Sequence, residues 1–178
     1  SGLERLELIR TRTIQPDLEY IFKHALTQEV VYNGLLKKER QVLHERIGLI
    51  MEQLFHDRLP EFYETLAFHY KQGQSVSKAV DYLIKCGEKS LNRYSLDEAH
   101  RYFQEAFDIL ANMENRSGED GKLIIDLLSK WLLVYYYYGD FKGLSELLLS
   151  HKDLAESLDD KATLGRFYSC LGFALCFR

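Results

Sequence analysis

The sequence of 178 residues contains few cysteines and prolines and no long apolar run. Its three cysteines, Cys86, Cys170 and Cys176, form no C-x-x-C pair, which argues against a disulfide framework and predicts a cytoplasmic location. The longest apolar run extends only from Trp131 to Tyr138, far short of the ~20 residues that a membrane span needs, so we expect no membrane association. Because leucine is common and β-branched residues are few, the composition favours helices over sheets.

A basic excess is also missing: the sequence contains 23 Lys and Arg and 27 Asp and Glu, which gives a net charge of −4. Nucleic-acid-binding domains usually carry clustered positive charge, so we expect this chain to bind no nucleic acid. Apolar residues make up 46% of the chain. That share can offset the ordering entropy of a fold, which excludes disorder as the main state.

The front of the chain shows two different periodicities. Apolar and aromatic residues alternate on both sides of a Pro-Asp turn at 16–17, which predicts a short β-hairpin. The period then becomes that of an amphipathic helix. We predict helices over residues 25–36, 38–57, 61–72, 77–93, 96–112, 121–138, 141–157 and 161–177.

Local signals predict several helix ends. Ser95 begins a Ser-Leu-Asp-Glu sequence typical of a capping box. The Gly-Asp pair at 139–140 predicts a turn between two helices, and the Asp pair at 159–160 predicts an N-cap. The polar, Gly-rich stretch 112–122 predicts a loop in which the acidic pair at 119–120 is solvated.

From residue 59 to residue 178, small and large residues recur at fixed offsets. One frame begins at residue 60 and another at residue 125, and their matching positions include Leu66, Ala67, Tyr70, Ala79, Trp131, Tyr135, Gly139 and Phe141. This spacing resembles tetratricopeptide repeats, whose period is 34 residues. The resemblance implies an all-α, tetratricopeptide-like solenoid of antiparallel helical hairpins, with the short β-hairpin at its front.

The division that we predict is therefore residues 1–58, the tail of a winged-helix-like element with two connecting helices, followed by residues 59–178, the repeats. Within the last repeat, a first helix has no second helix after it. Repeat arrays normally end in a polar capping helix. We therefore expect the chain to be a truncated part of a longer protein.

A second resemblance covers the front segment and extends to about residue 110. It is carried by residues 20–36, which read Tyr-Ile-Phe-Lys-His-Ala-Leu-Thr-Gln-Glu-Val-Val-Tyr-Asn-Gly-Leu-Leu, and by Arg40, Leu43, His44 and Ile47. This segment is similar to bacterial signalling proteins in which a STAND-type AAA ATPase domain precedes a tetratricopeptide array. Many of them carry a class III adenylate or guanylate cyclase domain, which this chain does not contain.

No pattern of residues predicts catalysis, a metal or a cofactor. The Gly-Lys pair at 121–122 lacks the spacing of a phosphate loop and is followed by Leu instead of Ser or Thr. His44 begins a His-Glu pair without the second His of a zinc-binding helix. We expect this chain not to be an enzyme.

Four cations cluster at the head of the second predicted helix: Lys37, Lys38, Arg40 and Arg46. One interpretation is an ordinary solvated helix face. A second is a docking surface for the ATPase domain of the same chain. Nucleic acid is a third alternative, which the acidic balance of the chain disfavours.

The four tyrosines at 135–138 span about 300° around a helix, so they cannot all face one core. Tyrosine is well suited to gripping a peptide, although burial against neighbouring helices is the alternative. The repeat resemblance implies a partner-binding groove. Its candidate residues are Glu61, Glu64, Phe68, Lys71, Ser129, Tyr136 and Tyr137.

Together these features predict a non-catalytic regulatory module that binds a protein or peptide. The resemblance implies a multidomain bacterial parent, a nucleotide cyclase with an ATPase switch domain. Two alternatives stay open, the sensor array of a STAND-type transcription regulator and a stand-alone scaffold.

Overall fold

The computed structural model describes residues 2–13, 19–113 and 117–178. Two short strands, β1 (Ile9–Thr13) and β2 (Glu19–Phe22), form an antiparallel sheet in which Ile9 lies opposite Phe22. The predicted β-hairpin is therefore confirmed, whereas its Pro-Asp turn at 16–17 lies outside the described residues. A four-residue helix, α1 (Gly2–Arg5), precedes the sheet and was not predicted.

The rest of the described chain is mostly helical, as the composition predicts. Its helices are α2 (Ala25–Gly34), α3 (Lys37–Leu54), α4 (Tyr63–Gln72), α5 (Val76–Asn92), α6 (Leu96–Ala111), α7 (Gly118–Tyr138), α8 (Phe141–Ser150), α9 (Lys152–Ser157) and α10 (Lys161–Cys176). A 3₁₀ segment, His56–Glu61, connects α3 to α4. The helix predicted over 141–157 is divided at His151 into α8 and α9.

One predicted helix start and one predicted capping bond are wrong. Helix α7 begins inside the predicted loop, because the Ser117 hydroxyl accepts the N–H of Asp120 while the Asp120 carboxylate accepts the N–H of Ser117. These reciprocal bonds satisfy donors that the first helical turn leaves unpaired. Asp120 is thus a capping residue and not a solvated loop acid. Ser95 precedes α6 as predicted, but its side chain makes no capping bond.

Two other predicted boundaries are confirmed. Gly139 ends α7 with a φ of 69°, a left-handed conformation that favours glycine, and the Asp140 carboxylate accepts the N–H of Gly143 to start α8. At the start of α10, the Asp160 carboxylate accepts the N–H groups of Ala162 and Thr163, both at 3.0 Å.

Helices that follow one another pack together: α3 contacts α4, and the contacts continue in order through α5 and α6 to α7, while α10 packs on both α7 and α8. Small buried residues allow close approach. A Cβ atom on Gly87 of α5 would lie 2.3 Å from the ring of Phe103 on α6, which is fully buried. Within the described ranges, every helix is too short or too polar to span a bilayer.

Candidate interaction site

Helix α3 has one packed side and one open side. Only His44 and Gly48 are buried, and they face α4. A Cβ atom on Gly48 would lie 2.8 Å from the ring of Tyr70, so glycine lets the two helices come close. The opposite side of α3 exposes apolar side chains. These are Val42, Leu43, Leu49, Ile50 and Leu54, each between 42% and 60% exposed.

Helix α2 adds to this exposed apolar surface, because none of its residues is buried. Leu26, Val30 and Val31 are all more than half exposed. We call the exposed apolar side chains of α2 and α3 the front face. Contiguous exposed apolar surface on a protein typically marks an interaction site.

Two clefts open on the front face and share Leu35 and Leu43. The first has a volume of about 560 Å³ and is lined by Leu35, Leu36, Lys38, Glu39, Val42, Leu43 and Arg46. The second has a volume of about 510 Å³ and is lined by Phe22, Gln28, Val31, Tyr32, Leu35, Leu43, His44, Ile47, Phe68 and His69. Both clefts are therefore mainly apolar, with polar groups at their borders.

A chain of hydrogen bonds forms the polar border of the second cleft. The Nε2 atom of His44 lies 2.9 Å from the Tyr32 hydroxyl, and its Nδ1 atom lies 2.9 Å from Nδ1 of His69. One Nδ1 must carry a proton and the other must accept it, so the pair is not fully protonated. Burial lowers the pKa of both imidazoles, and the charge of Arg40 lowers that of His44 further.

Acidic residues of α3 fix this helix on its neighbours. Glu52 accepts hydrogen bonds from Lys78 at 2.6 Å and from the Tyr82 hydroxyl at 2.7 Å. Burial acts to raise the pKa of Glu52, but these bonds outweigh it and lower the pKa overall. Glu45 accepts the backbone N–H of Ser75 at 3.1 Å together with the hydroxyl of the same residue.

The cations beside the front face contrast with these acids. The predicted basic cluster, Lys37, Lys38, Arg40 and Arg46, forms no ion pair among the described residues. Arg40 lies over the ring of Tyr32, at 5.1 Å from its centroid. Lys38 and Arg46 border the first cleft on either side of Val42. The positive charges of Lys38 and Arg46 are therefore available to an anionic partner.

Some of the predicted groove residues lie close to this surface. Phe68 is 49% exposed at the border of the second cleft, and Lys71 lines a polar cleft of about 450 Å³ with Lys37 and Arg40. Lys71 also pairs with Glu105. The structure thus brings part of the predicted groove next to part of the predicted docking surface.

The remaining groove candidates do not join them. Glu61 pairs with Arg58, and Glu64 pairs with Lys89. On α7, the hydroxyl of Ser129 donates to the backbone carbonyl of Ile125.

Tyr136 and Tyr137 are about half exposed, as expected for groove residues, but they belong to a separate aromatic cluster. Tyr136 contacts Phe141 and Phe173, and Tyr137 contacts Tyr94. A partner-binding role for these two tyrosines stays a prediction.

Sequence reasoning missed the contact between His44 and His69. These residues are 25 positions apart on different helices, so no spacing in the sequence indicates that their rings meet. Tyr32 and His44 belong to the segment that carries the resemblance, but neither stood out as a polar group of a cleft.

Comparison with known proteins gives one informative match. A protein of Rhizobium meliloti (strain 1021), itself uncharacterised, is 34% identical over 108 residues. The match includes 59% of this chain but only 10% of the relative, so the chain spans about a tenth of the curated relative's length. No protein-family model and no solved structure matches the chain significantly.

Proposed function

We propose that this chain is a non-catalytic, regulatory protein-interaction module built as a tetratricopeptide-like solenoid. Sequential packing of helices α3 to α7 supports this proposal, as does the close approach of α5 and α6 at Gly87. Such solenoids present extended surfaces to protein partners. The observation that carries the proposal is the front face, where exposed apolar side chains lie beside cations without ion-pair partners among the described residues.

The parent that we propose is a longer bacterial signalling protein, a nucleotide cyclase with an ATPase switch domain. The front segment supports it by its resemblance to such proteins, and the much greater length of the bacterial relative is consistent with it. In this arrangement the front face docks the ATPase domain of the same chain. Docking would couple the nucleotide state of that domain to the position of the helical array.

The test uses the full-length parent protein. Replacing Leu43 and Ile50 together with Ser should change the rate of cyclic nucleotide formation, because both side chains belong to the front face and are exposed. Leu149→Ser is the matched control, since Leu149 is 44% exposed on α8. A parent without cyclase activity, or equal rates in all variants, would overturn the proposal. So would ATP hydrolysis by the purified chain that survives repurification.

A further inference from the structure

The open side of α3 has a regular charge pattern. Lys38, Val42 and Arg46 follow one another at intervals of four residues, so they form one row along the helix. The two cations are therefore two turns apart, or about 12 Å along the axis. Val42 lies between them and is 54% exposed. A partner that matches this row needs an apolar centre and two anionic groups about 12 Å apart.

The acids of α3 bind other partners than the two cations of this row. Glu45 is bound by Ser75 and by the N–H of Gln74, and Glu52 is bound by Lys78 and Tyr82. The Glu39 carboxylate accepts the N–H of Leu36, which begins α3. Each acid therefore accepts hydrogen bonds within the chain, and among the described residues neither Lys38 nor Arg46 forms an ion pair.

The surface offers places for the side chains of a polypeptide. The two clefts, of about 560 and 510 Å³, are open and share Leu35 and Leu43 on the front face. Side chains projecting from a helix can enter such clefts, as ridges enter grooves when two helices pack. In a two-fold dimer through this face, centred on Val42, Lys38 of one copy would lie against Arg46 of the other. Like charges therefore oppose self-association through this face.

From this pattern we infer that the open side of α3 binds an acidic amphipathic helix. Its apolar residues enter the two clefts, and its carboxylates, seven or eight residues apart, pair with Lys38 and Arg46. The inference rests on the proposed function and adds the chemistry of the partner. It also predicts that the affinity for the helix decreases as the salt concentration rises, because salt screens exposed charges.

The probe is a displayed library of 18-residue helical peptides with two Asp or Glu positions eight residues apart and varied apolar positions between them. A matched library carries Lys at those two positions. Selection on the purified 178-residue chain should enrich the acidic library alone. Reversing both cations, with Lys38→Glu and Arg46→Glu, should weaken the enriched peptides at least tenfold. The control pair is Arg93→Glu, just after α5, and Lys161→Glu, at the start of α10. It makes the same change in net charge and should leave the affinity within twofold.

Several outcomes would overturn the inference. Equal enrichment of both libraries would show that the charge of the peptide does not determine binding. An equal loss of affinity in the control pair would show that only the net charge of the chain matters. Binding that is abolished by Tyr136→Ser and Tyr137→Ser but kept in the reversed variant would place the peptide on α7. The interaction module would then stand while the inference fails. Binding of the chain to anionic phosphatidylglycerol vesicles, with no peptide enriched, would assign the face to a membrane.

Discussion

The packing of α3 on α4 depends on Gly48, and Gly48→Ala tests this directly. The new Cβ atom would lie 2.8 Å from Cζ and 2.9 Å from Cε1 of the Tyr70 ring. That ring cannot easily move away. It is 1% exposed, stacks on Tyr82 with ring centroids 5.7 Å apart, and its hydroxyl lies 3.1 Å from Nζ of Lys78.

Two opposing effects decide the sign of the change. Replacing Gly by Ala in the interior of a helix gains about 1 kcal/mol of helix propensity. Forcing an extra carbon into a filled core costs about 1–3 kcal/mol. Because Tyr70 is held on several sides, we expect the steric cost to be larger, with a net loss of about 1 kcal/mol in the free energy of unfolding. For a chain of this size, that loss lowers Tm by about 2–4 °C.

The assay is thermal unfolding followed by circular dichroism, with Gly172→Ala as the matched control. Gly172 lies in α10, and a Cβ atom there would meet no heavy atom within 4 Å apart from its chain neighbours and the backbone of its own helix. The control should therefore show only the propensity gain and a higher Tm. If Gly48→Ala also raised Tm, the close contact between α3 and Tyr70 would be refuted.

Three other perturbations test the network around the site and the helix ends. Since burial lowers the pKa of His44 and His69, the unfolded chain binds protons near the ordinary pKa of about 6.5 while the folded chain does not. Stability should consequently fall as the pH drops from 7.5 to 5.5. The urea midpoint of His69→Asn should fall less over this range than that of the unchanged protein. An equal fall in the two proteins would contradict the reasoning. Glu52→Gln leaves Lys78 without its anionic partner and should cost about 1–2 kcal/mol in urea unfolding, whereas an unchanged midpoint would show that the bond adds nothing. Asp160→Ala removes the cap of α10 together with the ion pair to Lys122 and should lower the urea midpoint at constant m-value, while Asp160→Asn loses the ion pair but keeps the capping oxygen and should lower the midpoint less.

Features encoded within a few residues could be predicted from the sequence. The turn at Gly139 needs only the left-handed preference of glycine and the capping carboxylate of Asp140, so it was predicted correctly. The start of α7 was predicted wrongly for a local reason as well. Its Gly and polar composition suggested a loop, but Ser117 and Asp120 form a cap that outweighs that composition.

The site depends on contacts between distant residues, which explains why only part of it was predicted. The basic cluster on α3 is visible in the sequence because it is contiguous. The approach of His69 to His44 arises from the packing of α4 on α3, which Gly48 allows to be close. Because the sequence did not predict that these two helices pack at this point, neither imidazole could be assigned to a cleft.

The division of charge on α3 bears on what the front face does. Glu45 holds the helix on the turn between α4 and α5, and Glu52 holds it on α5, so these acids contribute to the fold. Lys38 and Arg46 make no such contribution within the described chain, and exposed cations add little to stability in any case. Val42 between them is 54% exposed and lines the first cleft. Stability alone therefore does not account for this arrangement, whereas an anionic, apolar partner would use all three side chains at once.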